Sequence, residues 1–470
     1  MKPTVAILGR PNVGKSTLFN RLTRTREALV ADQPGITRDY HVGEGRIGNR
    51  PYLVIDTGGV TKSRDPLAST VSDLALKMAQ EADAILWVVD GRDGRTAEDD
   101  RIAEWLRHSV NLADKPVFLV VNKTEALEPA SACAEFYGYG MGEPMAISSA
   151  HGEGMEELMA RVFAKLPPVD EPDTAAERMP KGVRVAVLGR PNVGKSTLVN
   201  RMLGEERMLT YDQPGTTRDA VAVPFVRDGK DYVLIDTAGV RRRARMAEDI
   251  EKFSVIKALQ AIDAAHVVIL VIDAQEGVTD QDASLLGQIL DSGRALVIAV
   301  NKWDGLSEDQ KTWTRNSIDR RLDFANFARV HYISALHGSG VGNLFESIDR
   351  AHASAFKEVS AGDLTDMLGH LLEAHQPPLV RGRRIKLRYA HLGGHNPPRI
   401  VIHGNQTESV PNAYRRYLEN EFRKLLKIEG TPLKLEFRTG ENPYKQKKNV
   451  LTPRQVAKRK RLKKFIKKRR

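Results

Sequence analysis

Two stretches of the chain carry the residue types and spacing that hold phosphate. Gly9-Arg10-Pro11-Asn12-Val13-Gly14-Lys15-Ser16 and Gly189-Arg190-Pro191-Asn192-Val193-Gly194-Lys195-Ser196 both spell G-x-x-x-x-G-K-S. Each follows an apolar run and opens a helix-like one at Thr17 or Thr197, the context such a loop requires. The glycines let backbone N–H groups curl around phosphate oxygens, and the helix N-terminus adds partial positive charge. Lys15 and Lys195 are placed to reach β- and γ-phosphate oxygens, and the Ser16 and Ser196 hydroxyls to ligate Mg²⁺.

The same chemistry continues downstream, again twice. Leu8–Leu18 and Leu188–Leu198 are letter for letter the same, and the offset between the copies stays constant beyond them. At that offset Asp56-Thr57-Gly58-Gly59 faces Asp236-Thr237-Ala238-Gly239, and Pro34-Gly35-Ile36-Thr37 faces Pro214-Gly215-Thr216-Thr217. An acid ending an apolar strand beside a phosphate loop can hold Mg²⁺ directly or through water, and Gly59 and Gly239 can offer N–H to a γ-phosphate. Thr37 and Thr217 follow the loop serines Ser16 and Ser196 at one and the same spacing, so they read as metal-sensing switch residues. Val60 and Val240 follow the last glycines, where small GTPases carry a water-orienting Gln. They imply either some other electrostatic aid or a slow, switch-like enzyme.

The base is selected elsewhere. Asn122-Lys123-Thr124-Glu125 and Asn301-Lys302-Trp303-Asp304 each follow a strand-like run. A carboxylate at the last position accepts two N–H bonds from guanine, a donor pair that adenine lacks, so GTP and GDP are expected rather than ATP. Asn301 can meet another edge of the base, and the Lys302 stem can pack along it. Ser148-Ser149 and Ser334-Ala335, after the last strand of each copy, can supply backbone N–H to the base oxygen. Glu125 is one methylene longer than Asp304, so weaker guanine recognition is expected in the first copy.

The elements that must position these groups alternate. Strands are predicted at Val5–Leu8, Tyr52–Ile55, Ala84–Val89, Val117–Val121 and Met145–Ile147. In the second copy they fall at Val185–Leu188, Tyr232–Ile235, Val267–Ile272, Ala295–Val300 and Tyr332–Ile333. The intervening segments are long enough for crossover helices, which implies an α/β fold: two mostly parallel sheets with helices on both faces and ligands at the strand C-termini. The reading divides the chain into domains at 1–166 and 183–354, an acidic Pro-rich linker at 167–182, a third domain at 355–444 and a tail at 445–470.

Composition bounds the rest. The 470 residues carry a formal charge of +12, yet Lys445–Arg470 alone holds fourteen Lys/Arg and no acid, which leaves −2 for the body. Such a tail binds nucleic acid without sequence preference; an anionic membrane surface or a nuclear targeting signal are alternatives. Cys133 is the only cysteine, excluding internal disulfides and multi-cysteine zinc sites. No apolar run approaches the 18 or so residues of a membrane span, and no signal-peptide pattern precedes Thr4. A cytoplasmic protein without stable membrane insertion is expected.

Taken together, G-R-P-N-V-G-K-S, P-G-x-T-R-D, D-T-[GA]-G and N-K-x-D in duplicate, followed by a third domain, resemble the EngA family of tandem GTPases over essentially the whole chain. The resemblance implies two P-loop GTPase domains and a C-terminal α+β KH-like domain. It also implies GTP hydrolysis and a role in assembling the large ribosomal subunit on its rRNA, by a bacterial, partly ribosome-associated and monomeric protein. It implies a potassium ion near the phosphates, held by Asn12 and Asn192. In the third domain an α-β-β-α-β order is predicted from Leu364–Ala374, Ile385/Leu387/Tyr389, Ile400–Ile402, Pro411–Lys427 and Leu433/Leu435/Phe437. No Gly-x-x-Gly lies between helices there, so RNA binding and domain docking both stand as its roles. Arg241, Arg242, Arg243 and Arg245 are either a solvated run or a contact made in one nucleotide state. A non-enzymatic RNA-binding scaffold with structural GTP, and a membrane-remodelling GTPase, are the rival readings.

Overall fold

The computed structural model describes residues 2–24, 40–57, 73–111, 115–167, 180–204, 222–235, 255–379 and 384–439. The first repeat runs β1 (Thr4–Leu8), α1 (Lys15–Thr23), β2 (His41–Gly45), β3 (Tyr52–Asp56), α2 (Asp73–Glu81), β4 (Ala84–Asp90), α3 (Ala97–Ser109), β5 (Val117–Asn122), α4 (Pro129–Ala134), β6 (Met145–Ala146) and α5 (Met155–Lys165). The second runs β7 (Val183–Leu188), α6 (Lys195–Leu203), β8 (Val223–Arg227), β9 (Lys230–Ile235), α7 (Val255–Ala264), β10 (Val267–Asp273), α8 (Asp280–Ser292), β11 (Ala295–Asn301), α9 (Glu308–Arg321), β12 (Arg329–Tyr332) and α10 (Val341–Ala355).

The two sheets have the same strand order, β2-β3-β1-β4-β5-β6 and, read from its other edge, β8-β9-β7-β10-β11-β12. All pairings are parallel except β2 with β3 and β8 with β9. Both faces of each sheet are covered, as strands alternate their side chains between two cores. Ala84, Leu86 and Val88 pack with Leu18, Leu22 and Leu158 on one face, and Ile85, Trp87 and Val89 with Ile102, Leu106 and Phe136 on the other. In the second sheet Val267, Ile269 and Val271 face Leu198 and Leu344, while Val268, Leu270 and Ile272 face Leu286 and Ile289.

Each of the ten strands expected from apolar runs overlaps an observed one, although β12 runs Arg329–Tyr332 and so shares only Tyr332 with the expected Tyr332–Ile333, and two more occur. β2 reads HVGEG and β8 reads VPFVR; both are antiparallel edge strands, β2 with Val42 as its one large apolar residue and β8 with its apolar run interrupted by Pro224, which an edge strand tolerates.

The remaining elements are α11 (Ala361–Ala374), β13 (Lys386–Gly394), β14 (Arg399–Asn405), α12 (Asn412–Leu425) and β15 (Lys434–Thr439), the expected α-β-β-α-β order. The strands form one sheet, β13-β14-β15, antiparallel then parallel. Leu364, Leu368, Leu418 and Phe422 are buried on the helices. The expected alternation fails at one residue: a register shift between Leu387 and Tyr389 leaves Tyr389 48% exposed, its ring stacked on His403. A bulge flips every following side chain to the other face, so Ala390 is buried in its place.

The chain divides into two compact units. One comprises Met1–Lys357 with His395–Pro398 and Lys427–Leu433; the other comprises Glu358–Gly394, Arg399–Leu426 and Lys434–Arg470. Within the first unit, helices α2 and α7 meet. Met78 and Ala82 share a buried cluster with Val255, Ile256 and Leu259 of α7 and with Tyr40. Gln260 Nε2 donates to Thr4 Oγ1 at 3.2 Å, and Lys2 pairs with Asp263 at 3.0 Å.

Candidate nucleotide sites

Each phosphate loop joins the C-terminal end of a central strand, β1 or β7, to the start of a helix. Gly14 and Gly194 occupy the N-cap positions of α1 and α6 in left-handed conformation, with φ of 97° and 98° and no side-chain cap. The first-turn N–H groups, which a capping side chain would otherwise take, therefore face the loop interior. A Cβ at either glycine would come within 2.3 or 2.2 Å of the Nδ2 of Asn122 or Asn301, so no larger residue fits without displacing that amide.

The lysines curl over the loops. Lys15 Nζ donates to the Gly9 and Arg10 carbonyls at 2.8 and 2.7 Å, and Lys195 Nζ to the Arg190 carbonyl at 2.6 Å. Burial pushes the Lys15 ammonium below its ordinary pKa, with Asp56 opposing the shift and Arg10 adding to it. Asp56 ends β3 fully buried, and the neighbouring Thr57 hydroxyl donates to the Ile7 carbonyl at 2.7 Å.

The base-reading segments are tied to the phosphate loops by their asparagines. Asn122 Nδ2 donates to the Val13 carbonyl at 2.8 Å while its Oδ1 accepts from Ser149 N–H at 3.0 Å. Asn301 repeats this with the Val193 carbonyl and Ala335 N–H, both at 2.8 Å. These side chains bracket three loops together, a role that the expected placement of Asn301 at the base does not include. The Ser148 and Ser334 N–H groups likewise donate inward, to the Glu153 and Ser339 carbonyls. Thr124 Oγ1 donates to the Ile147 carbonyl at 2.9 Å, and the Trp303 ring packs against Tyr332, tilted by 39° at 4.2 Å between centroids. Lys123 and Lys302 are held by Asp90 and Asp273, each at 2.5 Å.

Neither Asp90 nor Asp273 is among the residues singled out from the sequence. Their signal is an acid at the end of an apolar strand in both copies, the pattern that marks Asp56 and Asp236. The loop arginines also do more than their motif position suggests. Arg10 pairs with Asp93 at 2.7 Å and with the buried Asp99 at 3.4 Å; Arg190 pairs with Glu276 at 2.7 Å and Asp282 at 3.1 Å. They clamp the phosphate loop to the turn after β4 or β10 and to the first turn of the helix that follows it, α3 or α8. Pro11 and Pro191 are half-buried, Asn12, Ser16, Thr17, Asn192 and Thr197 lie at the mouth with Ser196, and Val13 and Val193 are buried beneath. Thr37, Gly58, Gly59, Val60, Thr217, Asp236, Thr237, Ala238, Gly239 and Val240 fall outside the described residues, as do Arg241 to Arg245, most of the linker and the basic tail.

A mostly parallel sheet covered on both faces, with an uncapped glycine loop at the end of its central strand and an Asn-bracketed carboxylate beside it, defines a P-loop nucleotide-binding domain. This chain has two. The model of 50S ribosome-binding GTPases matches residues 4–123 and 184–302, and that of the C-terminal KH-like domain of EngA bacterial GTPases matches 358–438. GTPase Der of Thioalkalivibrio sulfidiphilus is 57% identical over 468 residues and GTPase Der of Escherichia fergusonii 53% over 492, each alignment covering 100% of both chains. A crystal structure of Aquifex aeolicus Era bound to GDP and aluminium fluoride shares 20% identity over 55% of this chain and 93% of its own, with a TM-score of 0.29. The chain belongs to the GTPase Der (EngA) family. It is a GTPase with two tandem nucleotide-binding domains and a C-terminal KH-like domain.

Proposed function

We propose that the protein hydrolyses GTP to GDP and phosphate to control its association with rRNA during assembly of the large ribosomal subunit. The observation that supports this reading is that, among the described residues, both nucleotide sites share an uncapped helix start, a loop lysine and an asparagine bracket. Hydrolysis adds water to the γ-phosphorus and breaks its bond to the β,γ-bridging oxygen, so negative charge shifts toward that oxygen. The α1 and α6 N-termini, with Lys15 and Lys195, stand where such charge is stabilised. The clamps from Arg10 and Arg190 hold those donors still, so they need no reorganisation at the moment of reaction.

Asp56 fits a divalent cation: it is a buried carboxylate at a strand end, electrostatically coupled to Lys15, and carboxylate with hydroxyl is a hard-oxygen donor set. Ser16, Thr37 and Asp56 would hold Mg²⁺ in the first site, and Ser196, Thr217 and Asp236 in the second, where it would neutralise β- and γ-phosphate charge. Thr37 and Thr217, with the N–H groups of Gly59 and Gly239, are the residues through which each site would register the γ-phosphate. Asn12 and Asn192, exposed at loop turns with φ of 66° and 63°, offer amide oxygens to potassium.

The ribosomal part rests on the family description and on the tail's fourteen positive charges. Co-sedimentation with large subunits in GDP and in a non-hydrolysable GTP analogue tests it. Nucleotide-dependent association is expected; equal association in both states would favour a scaffold whose GTP is structural.

A further inference from the structure

The turn after β4 reaches from the phosphate loop to the base-reading carboxylate, and among the described residues it does so in the first domain alone. Asp93 on this turn is the partner of Arg10. One residue earlier, the Arg92 guanidinium donates to Oε1 of Glu125, while Oε2 of the same carboxylate accepts from the Ser148 hydroxyl at 3.0 Å. Both oxygens of Glu125 are thus engaged. Its own backbone N–H, the Ser148 hydroxyl, Arg92 and His151 together hold this carboxyl below the ordinary glutamate range.

The second domain keeps the turn and changes the residue. Arg92 N–H caps Asp90 Oδ1 at 2.9 Å, and Gln275 N–H caps Asp273 Oδ1 at 2.9 Å, so Gln275 occupies the position of Arg92. Asp304 meets the His337 imidazole at 3.1 Å, and the Ser334 hydroxyl accepts from His337 N–H at 3.2 Å. The extra methylene of Glu125 gives it the reach to Ser148 and Arg92 that the shorter Asp304 lacks toward Ser334.

We propose that Arg92 is a specificity-determining residue of the first site, competing with guanine for the Glu125 carboxylate. This rests on the reading that Glu125 accepts the two N–H groups of guanine. Guanine entry at the first site exchanges an arginine pair for two bonds from the base; at the second it exchanges a single imidazole contact. The first site is therefore the weaker of the two. Because the Arg92 side chain is 53% exposed, salt screens its competition more than it screens contacts within the loop.

The test uses the full chain carrying Asp304→Asn, whose amide cannot accept both guanine N–H groups, so that fluorescent GDP reports on the first site. Arg92→Gln should tighten GDP about two- to fivefold, the range that an exposed ion pair supplies, and raising salt should narrow the gap. Arg92→Lys, which keeps the charge, should stay near the parent. Unchanged or weaker GDP binding in Arg92→Gln overturns the proposal. Glu125→Ala should abolish the preference for GDP over ADP; if the preference survives, it is the base reading that fails, and the role of Arg92 fails with it.

Discussion

At the residue scale, the type and spacing of the glycines, lysine and serine in G-x-x-x-x-G-K-S point to phosphate, and the structure places that loop at an uncapped helix start in both copies. Asn122 and Asn301 were not legible in the same way, since nothing in a sequence says whether an amide faces a ligand or the protein. The structure has each join the phosphate loop to the loop after the last strand, with the side chain almost fully buried. Replacing Asn122 by alanine should therefore destabilise the protein by about 1–3 kcal/mol, the cost of leaving buried partners unsatisfied. It should also loosen GDP at the first site. Thermal unfolding and nucleotide titration of the same variant check both, and an unchanged unfolding midpoint would contradict the bracket. Asn12 and Asn192 make a different prediction: exchange of potassium for sodium should slow GTP turnover severalfold. Equal rates in the two salts would remove potassium from the account.

At the element scale, what the sequence displayed was burial on two faces. The central strands read as unbroken apolar runs because helices cover both sides of the sheet, whereas at the edges β2 shows a single valine among polar residues and glycines and the apolar run of β8 is broken by Pro224. The bulge at Leu387/Tyr389 was hidden because an extra residue in one strand is a matter of pairing, which period-two patterning presumes rather than reveals. His266, at the entry to β10, shows a consequence of burial with a measurable sign. Burial first, then Arg184, His352 and Arg294, push its pKa down to about 3. The unfolded chain takes up that proton near pH ~6.5, so the unfolded state binds it first. There is no penalty above pH ~6.5, and stability falls as pH drops from there toward 3. His266→Gln should shrink the loss of thermal stability between pH 7.5 and pH 5; an undiminished loss in the variant would exclude His266 as its source.

At the scale of the whole molecule, duplication was the clearest signal and the joining of the copies the least. A repeat whose period is as long as a domain implies two like domains, but which helices meet depends on surfaces that no local pattern marks. The buried cluster of Met78, Ala82, Ile256 and Leu259 places α2 against α7, and each of these helices is the next described one after its site's D-T-[GA]-G motif. The charge of the chain belongs to another part. With fourteen Lys/Arg and no acid between Lys445 and Arg470, and a net −2 elsewhere, affinity for a polyanion is expected to reside in the tail. Deleting Lys445–Arg470 should flatten the salt dependence of large-subunit binding while leaving GDP affinity intact; a deletion with the parent's salt slope would contradict this.

The central claim is that two nucleotide sites govern association with the ribosome. It is met most directly by comparing Lys15→Ala and Lys195→Ala for GTP turnover and for co-sedimentation with large subunits in the GTP-analogue state. Each lysine is proposed to stabilise phosphate in one site alone, so each change should lower turnover and each should alter association. If neither substitution changes the amount of protein bound to large subunits, nucleotide control of docking is contradicted.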